Sequence, residues 1–173
     1  MKICTLTSTL LIMGFLSLLG CSKLNDAPQE QQKVSALSQA DVERLDKQRA
    51  IITQFVADED SRAKYQKVAG KLGTLQAILN QKEFQPSQTY ELQCMGAVLG
   101  DAFVQEMGME WVMVEDEHGT DPAVRLPGTT IIIFPLTMIS KRVERGETFD
   151  VFDLFNGIAD KIDQLKKTAD KTK

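Results

Sequence analysis

Residues 89–147, TYELQCMGAVLGDAFVQEMGMEWVMVEDEHGTDPAVRLPGTTIIIFPLTMISKRVERGE, decide the fold. One helical pattern, two strand-like runs and a second helical pattern follow one another there with almost no slack. Leu92, Met95, Leu99, Ala102, Phe103 and Met107 recur at helical spacing, which predicts a helix over residues 87–107 with Ser87, after Pro86, as its cap. Gly96 and Gly100 lie one turn apart inside that helix, where each costs about 1 kcal/mol against alanine, so a neighbour should approach the backbone closely. Residues 111–114 (WVMV) and 131–134 (IIIF) are short apolar runs rich in β-branched and aromatic side chains, read as buried strands that pair. The acidic turn of residues 115–122 follows the first, residues 123–126 add a short strand, and Pro127-Gly128 turns the chain again, giving an antiparallel meander. After Pro135, Leu136, Ile139 and Val143 mark a short helix whose other faces carry Lys141, Arg142 and Arg145.

Upstream, Ser38 with Asp41 three residues on has the form of a capping box, and Val42, Leu45, Ile52, Phe55 and Val56 mark one face of a helix reaching Ala57. The run Asp58-Glu59-Asp60 breaks it. Tyr65, Val68, Leu72, Leu75 and Leu79 then define a second helix, antiparallel to the first and weakened by Gly70 and Gly73. Downstream, Asp150 caps a helix with the stripe Val151, Leu154, Phe155, Ile158, Ile162 and Leu165. Its tail places Lys166, Lys167, Lys171 and Lys173 where cations complement a helix carboxyl end. The class is α+β, several helices packed on a small antiparallel sheet in the order ααα-βββ-αα, forming one domain over residues 39–168 with a frayed basic tail at 169–173.

The runs LQCMGAVLGD, GMEWVMVEDEHGTDPA and IIIFPLTMISKRVERGE resemble the bacterial family known as domain of unknown function 3806, over residues 75–154. The resemblance implies a compact α+β domain. It implies no activity.

The amino terminus reads differently. Met1-Lys2 and the apolar residues 3–19 have the pattern of a secretory signal, residues 1–20 in all. Its end, Leu18-Leu19-Gly20-Cys21, resembles a bacterial lipobox, which implies cleavage before Cys21 and acylation of its sulfur and new amine, palmitate among the acyl groups. Several acyl chains hold a protein on a membrane without spanning it. Ser22, where aspartate would retain the protein in the inner membrane, places it by that resemblance in the outer membrane's inner leaflet, facing the periplasm. Residues 21–38, polar and Gln-rich, read as a lipidated flexible tether.

Removing the signal takes away Lys2 and no acid, so 20 basic side chains fall to 19 against 24 acidic ones, a balance that argues against nucleic acid as a partner. Of three cysteines, Cys4 leaves with the signal and Cys21 is acylated, so Cys94 has no partner for an intrachain disulfide and is expected to be buried.

Four candidate sites follow. Cys94 and His118, with Asp116 or Asp121 to orient the ring, would be the nucleophile and base of a thiol-dependent hydrolase. Glu115, Glu117, His118 and Asp121 offer oxygen and nitrogen ligands, but their spacing does not match a calcium loop, and neither a metal nor a cofactor is expected. Asp101 or Glu110 are expected to pair with Arg125, Arg142 or Arg145, arginine's fork matching a carboxylate. Finally, the acidic loop Glu115, Asp116, Glu117, His118 and Asp121 suits recognition of another envelope protein. The reading reached from the sequence is a non-enzymatic, lipid-anchored protein-binding module. The alternatives are an immunity protein neutralising a periplasmic toxin and the Cys94/His118 hydrolase.

Overall fold

The computed structural model describes residues 32–117 and 119–170, with side chains to residue 168; residues 1–20, expected to be a signal, and Cys21, His118, Lys171 and Lys173 lie outside the described residues. Four strands, β1 (Lys33–Ala36), β2 (Glu110–Asp116), β3 (Gly119–Arg125) and β4 (Ile132–Ile133), form one antiparallel sheet in the order β1-β2-β3-β4. Six helices complete the described chain: α1 (Gln39–Thr53), α2 (Glu59–Tyr65), α3 (Val68–Gln81), α4 (Thr89–Met107), α5 (Leu136–Glu144) and α6 (Val151–Asp170). The fold is α+β, as the residue patterns predict.

The central helix α4 carries the core. Leu92, Met95, Val98, Leu99, Ala102 and Phe103 are all buried, and α1, α3, α5 and α6 pack around it. Both α4 glycines meet close neighbours: a Cβ on Gly96 would sit 2.5 Å from the Leu136 Cα and from the Pro135 carbonyl oxygen, and one on Gly100 would run into the Trp111 ring. Helix α5 can therefore lie against α4 backbone to backbone. Phe103 stacks on Phe155 with ring centroids 4.5 Å apart, which docks α6 on the same helix.

Several local expectations are revised. Residues 33–36, read from composition as part of the flexible tether, form a strand that pairs with β2 in the register Lys33↔Glu115 to Ala36↔Val112. The two apolar runs do not pair with each other; β3 lies between β2 and β4. Helix α4 begins at Thr89, rather than with Ser87 as its cap; Gln88 holds the cap position without a side-chain capping bond, its Oε1 accepting from the Gln85 amide at 2.8 Å instead. The expected second helix is two helices, and α1 ends at Thr53. Asp58 does interrupt the chain there, by capping α2: its carboxylate accepts from the Ser61 amide at 2.8 Å. The capping box of α1 forms as expected, with the Ser38 hydroxyl and amide holding the Asp41 carboxyl below the usual carboxylate range. Asp150 caps α6 by accepting from the Phe152 and Asp153 amides at 2.7 and 3.0 Å.

Candidate functional site

Cys94 sits in the second turn of α4 with no exposed surface, and burial pushes its thiol up to about 11, the neighbouring Glu91 charge adding to the effect. A thiol in that state stays protonated at neutral pH, the opposite of what nucleophilic attack requires. Its expected base, His118, lies outside the described residues. Among the described residues no group of three or more His, Cys, Asp or Glu is placed to hold a metal ion.

The expected ion pairs form in part. Arg125 Nη2 donates to Glu110 Oε1 at 2.5 Å across the β2–β3 ladder. Asp101 takes a partner that sequence spacing did not indicate. Arg49 on α1 donates from Nε and Nη2 to its two oxygens, each at 2.7 Å, and Trp111 Nε1 donates at 2.9 Å. The Asp101 carboxylate raises the Arg49 pKa, and one half-buried cluster ties α1, α4 and β2 together. Tyr65 nearby has its phenol pushed up to about 12 by burial and by the Asp101 charge. A signal for Arg49 was present in the sequence: it follows Gln48, and both fall between Leu45 and Ile52 on the inward side of α1. Gln48 is itself buried, with its Oε1 lacking a partner among the described residues.

Arg142 and Arg145, expected as partners of Asp101 or Glu110, are engaged by Glu147 instead. Arg145 Nε donates to Glu147 Oε1 at 2.6 Å, and Arg142 lies 3.9 Å from the other oxygen while donating to the Met138 carbonyl at 2.7 Å. The Arg142 guanidinium also lies 5.9 Å from the Phe149 ring centroid, so the α5–α6 connection is held in place. In the acidic hairpin, Glu115 forms an exposed ion pair with Lys33 at 3.0 Å. Asp121 is exposed, and Asp116 and Glu117 have interactions of their own.

The feature that residue patterns did not reveal is a cleft of 610 Å³ between the end of α3, the start of α4 and the α5–α6 connection. Ile78, Leu92 and Met95 form an apolar floor, all buried, and Leu79, Phe84 and Phe149 form half-buried walls. Its rim is fixed by hydrogen bonds: Gln76 Oε1 accepts from the Val151 amide at 2.7 Å while its Nε2 donates to Asn80 at 2.9 Å. Lys82 stands at the lip in the left-handed conformation, φ 54°, as the cap that ends α3. Such a conformation costs a residue with a Cβ about 1–2 kcal/mol, and glycine usually takes it. Two charged side chains line the cleft. Glu147 is engaged by two arginines, whereas Lys82 has no ion pair among the described residues. A smaller cleft of 420 Å³ runs along the other side of α3 past Gly73 and Ala77. Phe55 lines it and meets Phe84 of the larger cleft edge to face, centroids 5.6 Å apart.

Residues 71–155 match the model of a family described as domain of unknown function (DUF3806), and over these residues the domain resembles that family. The matched segment runs from α3 into α6 and contains every residue that lines the larger cleft. No curated protein matches the chain. A crystal structure from Bacteroides thetaiotaomicron VPI-5482 is similar, with a TM-score of 0.61 at 15% identity over 76% of this chain and 49% of the other. This chain thus spans about half the length of that protein, and the likeness is one of fold alone.

Proposed function

We propose that the protein is a non-enzymatic binding module, held at the periplasmic face of a bacterial membrane by acyl chains on Cys21, that seats an apolar side chain of a partner protein in the larger cleft. One observation carries this reading: the cleft joins a buried apolar floor to a hydrogen-bonded rim, the combination that gives binding area together with orientation. Its size lies within the roughly 300–1,000 Å³ of ordinary ligand sites. The uncompensated Lys82 favours a partner segment with a carboxylate beside its apolar anchor. On this reading recognition occurs at the cleft rather than at Glu115, Asp116, Glu117, His118 and Asp121. The immunity reading has no observation of its own among these residues.

The test is charge reversal at the lip. Lys82→Glu should abolish co-purification of a stoichiometric partner from crosslinked native envelopes, while Lys82→Gly, which relieves the left-handed strain but removes the charge, should weaken it less and raise the melting temperature. Unchanged capture by Lys82→Glu would contradict the assignment of the cleft.

A further inference from the structure

Phe55 leaves 39% of its surface exposed although it is a large apolar residue, and its backbone is firmly placed. Its amide donates to the Ile52 carbonyl at 3.1 Å in the turn that follows α1, and Ile52 and Val56 on either side are buried. Phe84 is placed differently. It lies between α3 and α4, outside any helix or strand. Among the described residues its own amide and carbonyl make no hydrogen bond, whereas the Glu83 amide donates to the Ile78 carbonyl at 3.2 Å and the Gln85 amide to the Gln88 side chain at 2.8 Å. What fixes the Phe84 ring is therefore side-chain packing, and the Phe55 ring meets it edge to face with centroids 5.6 Å apart. Phe84 walls the larger cleft; Phe55 does not line that cleft and borders the smaller one.

We infer that Phe55 is a positioning residue for the larger cleft: from outside it, the Phe55 ring holds Phe84 in place as the wall against which a partner's apolar side chain seats. The inference rests on the cleft reading above and adds to it a residue that the cleft's own lining does not include. An edge-to-face pair orients two rings as well as burying them. A wall already in place before binding does not have to be ordered when the partner arrives, so losing the Phe55 ring weakens capture without altering the surface that the partner meets.

The full chain in detergent, carrying 4-fluorophenylalanine at position 84, reads the wall directly. Its fluorine should give one narrow resonance that broadens or splits in Phe55→Ala and is single again in Phe55→Tyr, which keeps the ring. In native envelopes, a photo-crosslinking side chain at Thr148 on the cleft rim should give about threefold to tenfold less partner adduct in Phe55→Ala, with Phe55→Tyr restoring it. Phe55→Leu, which keeps apolar bulk without the ring, should fall between the two and serves if the alanine variant does not fold. A resonance as narrow and single in Phe55→Ala as in the natural protein would overturn the inference, since Phe84 then holds its place unaided. A broadened resonance with undiminished adduct, where Lys82→Glu still removes that adduct, would overturn it too and leave the cleft reading standing. Adduct absent from position 148 in the natural protein, or untouched by both Phe55→Ala and Lys82→Glu, would overturn the cleft reading and the inference together.

Discussion

Asp101 shows how one carboxylate organises three elements. Accepting from both arms of Arg49 and from the Trp111 indole, it leaves no partner spare if one is lost. Arg49→Met should cost about 2 kcal/mol, between an exposed pair and a fully buried one, because the carboxylate keeps only the Trp111 donor. Denaturant unfolding measures that loss, and a change under 0.5 kcal/mol would mean solvent already screens the pair. Cys94 gives a pH dependence of known sign. The folded thiol keeps its proton to about 11 against 9.0 for the ordinary group, so the folded state holds more protons between those values. Its contribution is present below about pH 9 and lost as pH rises through about 11. Melting temperature should fall over that window in the natural protein and fall less steeply in Cys94→Ala; parallel curves would contradict a buried protonated thiol. That Cys94 is buried was legible from its being a lone thiol without a disulfide partner. The Asp101 partner was not, because spacing within a helix says which face a residue occupies but not which distant element meets it.

The glycines of α3 and α4 separate two reasons for a glycine inside a helix. Gly96 admits the α5 backbone, so Gly96→Ala should cost about 3 kcal/mol or prevent folding, since backbone atoms cannot give way as a flexible side chain can. Gly73 faces open space beside the smaller cleft, with nothing within 4 Å of an added Cβ. Gly73→Ala should therefore stabilise the protein by about 1 kcal/mol through helix propensity alone. Thermal unfolding of the two variants checks both signs, and a destabilised Gly73→Ala would contradict the open geometry. At this scale the elements of residues 89–147 were legible, since β-branched runs, helical stripes and Pro-Gly turns are local signals. Strand β1 was not: KVSA is too short and polar to carry a periodic signal, and it is a strand only because β2 offers it an edge. The same limit explains β2 and β4. Each reads as a buried strand, but their order depends on β3, whose first half, residues 119–122, falls inside what reads as the acidic turn.

For the whole molecule, the cleft is a product of tertiary arrangement. Its floor comes from stripes that each read as ordinary core, and it exists because α3, α4 and the α5–α6 connection stop short of closing over them. No local pattern marks such a gap, whereas the acidic hairpin is conspicuous in the sequence. The two surfaces share no lining residue, so they can be set against each other directly. The most direct measurement places a photo-crosslinking side chain either at Thr148, on the cleft rim, or at Thr120, on the hairpin, and irradiates native envelopes. The cleft reading predicts one dominant protein adduct from position 148 that Lys82→Glu removes, and none of that adduct from position 120. The same adduct formed from position 120 alone, untouched by Lys82→Glu, would contradict it.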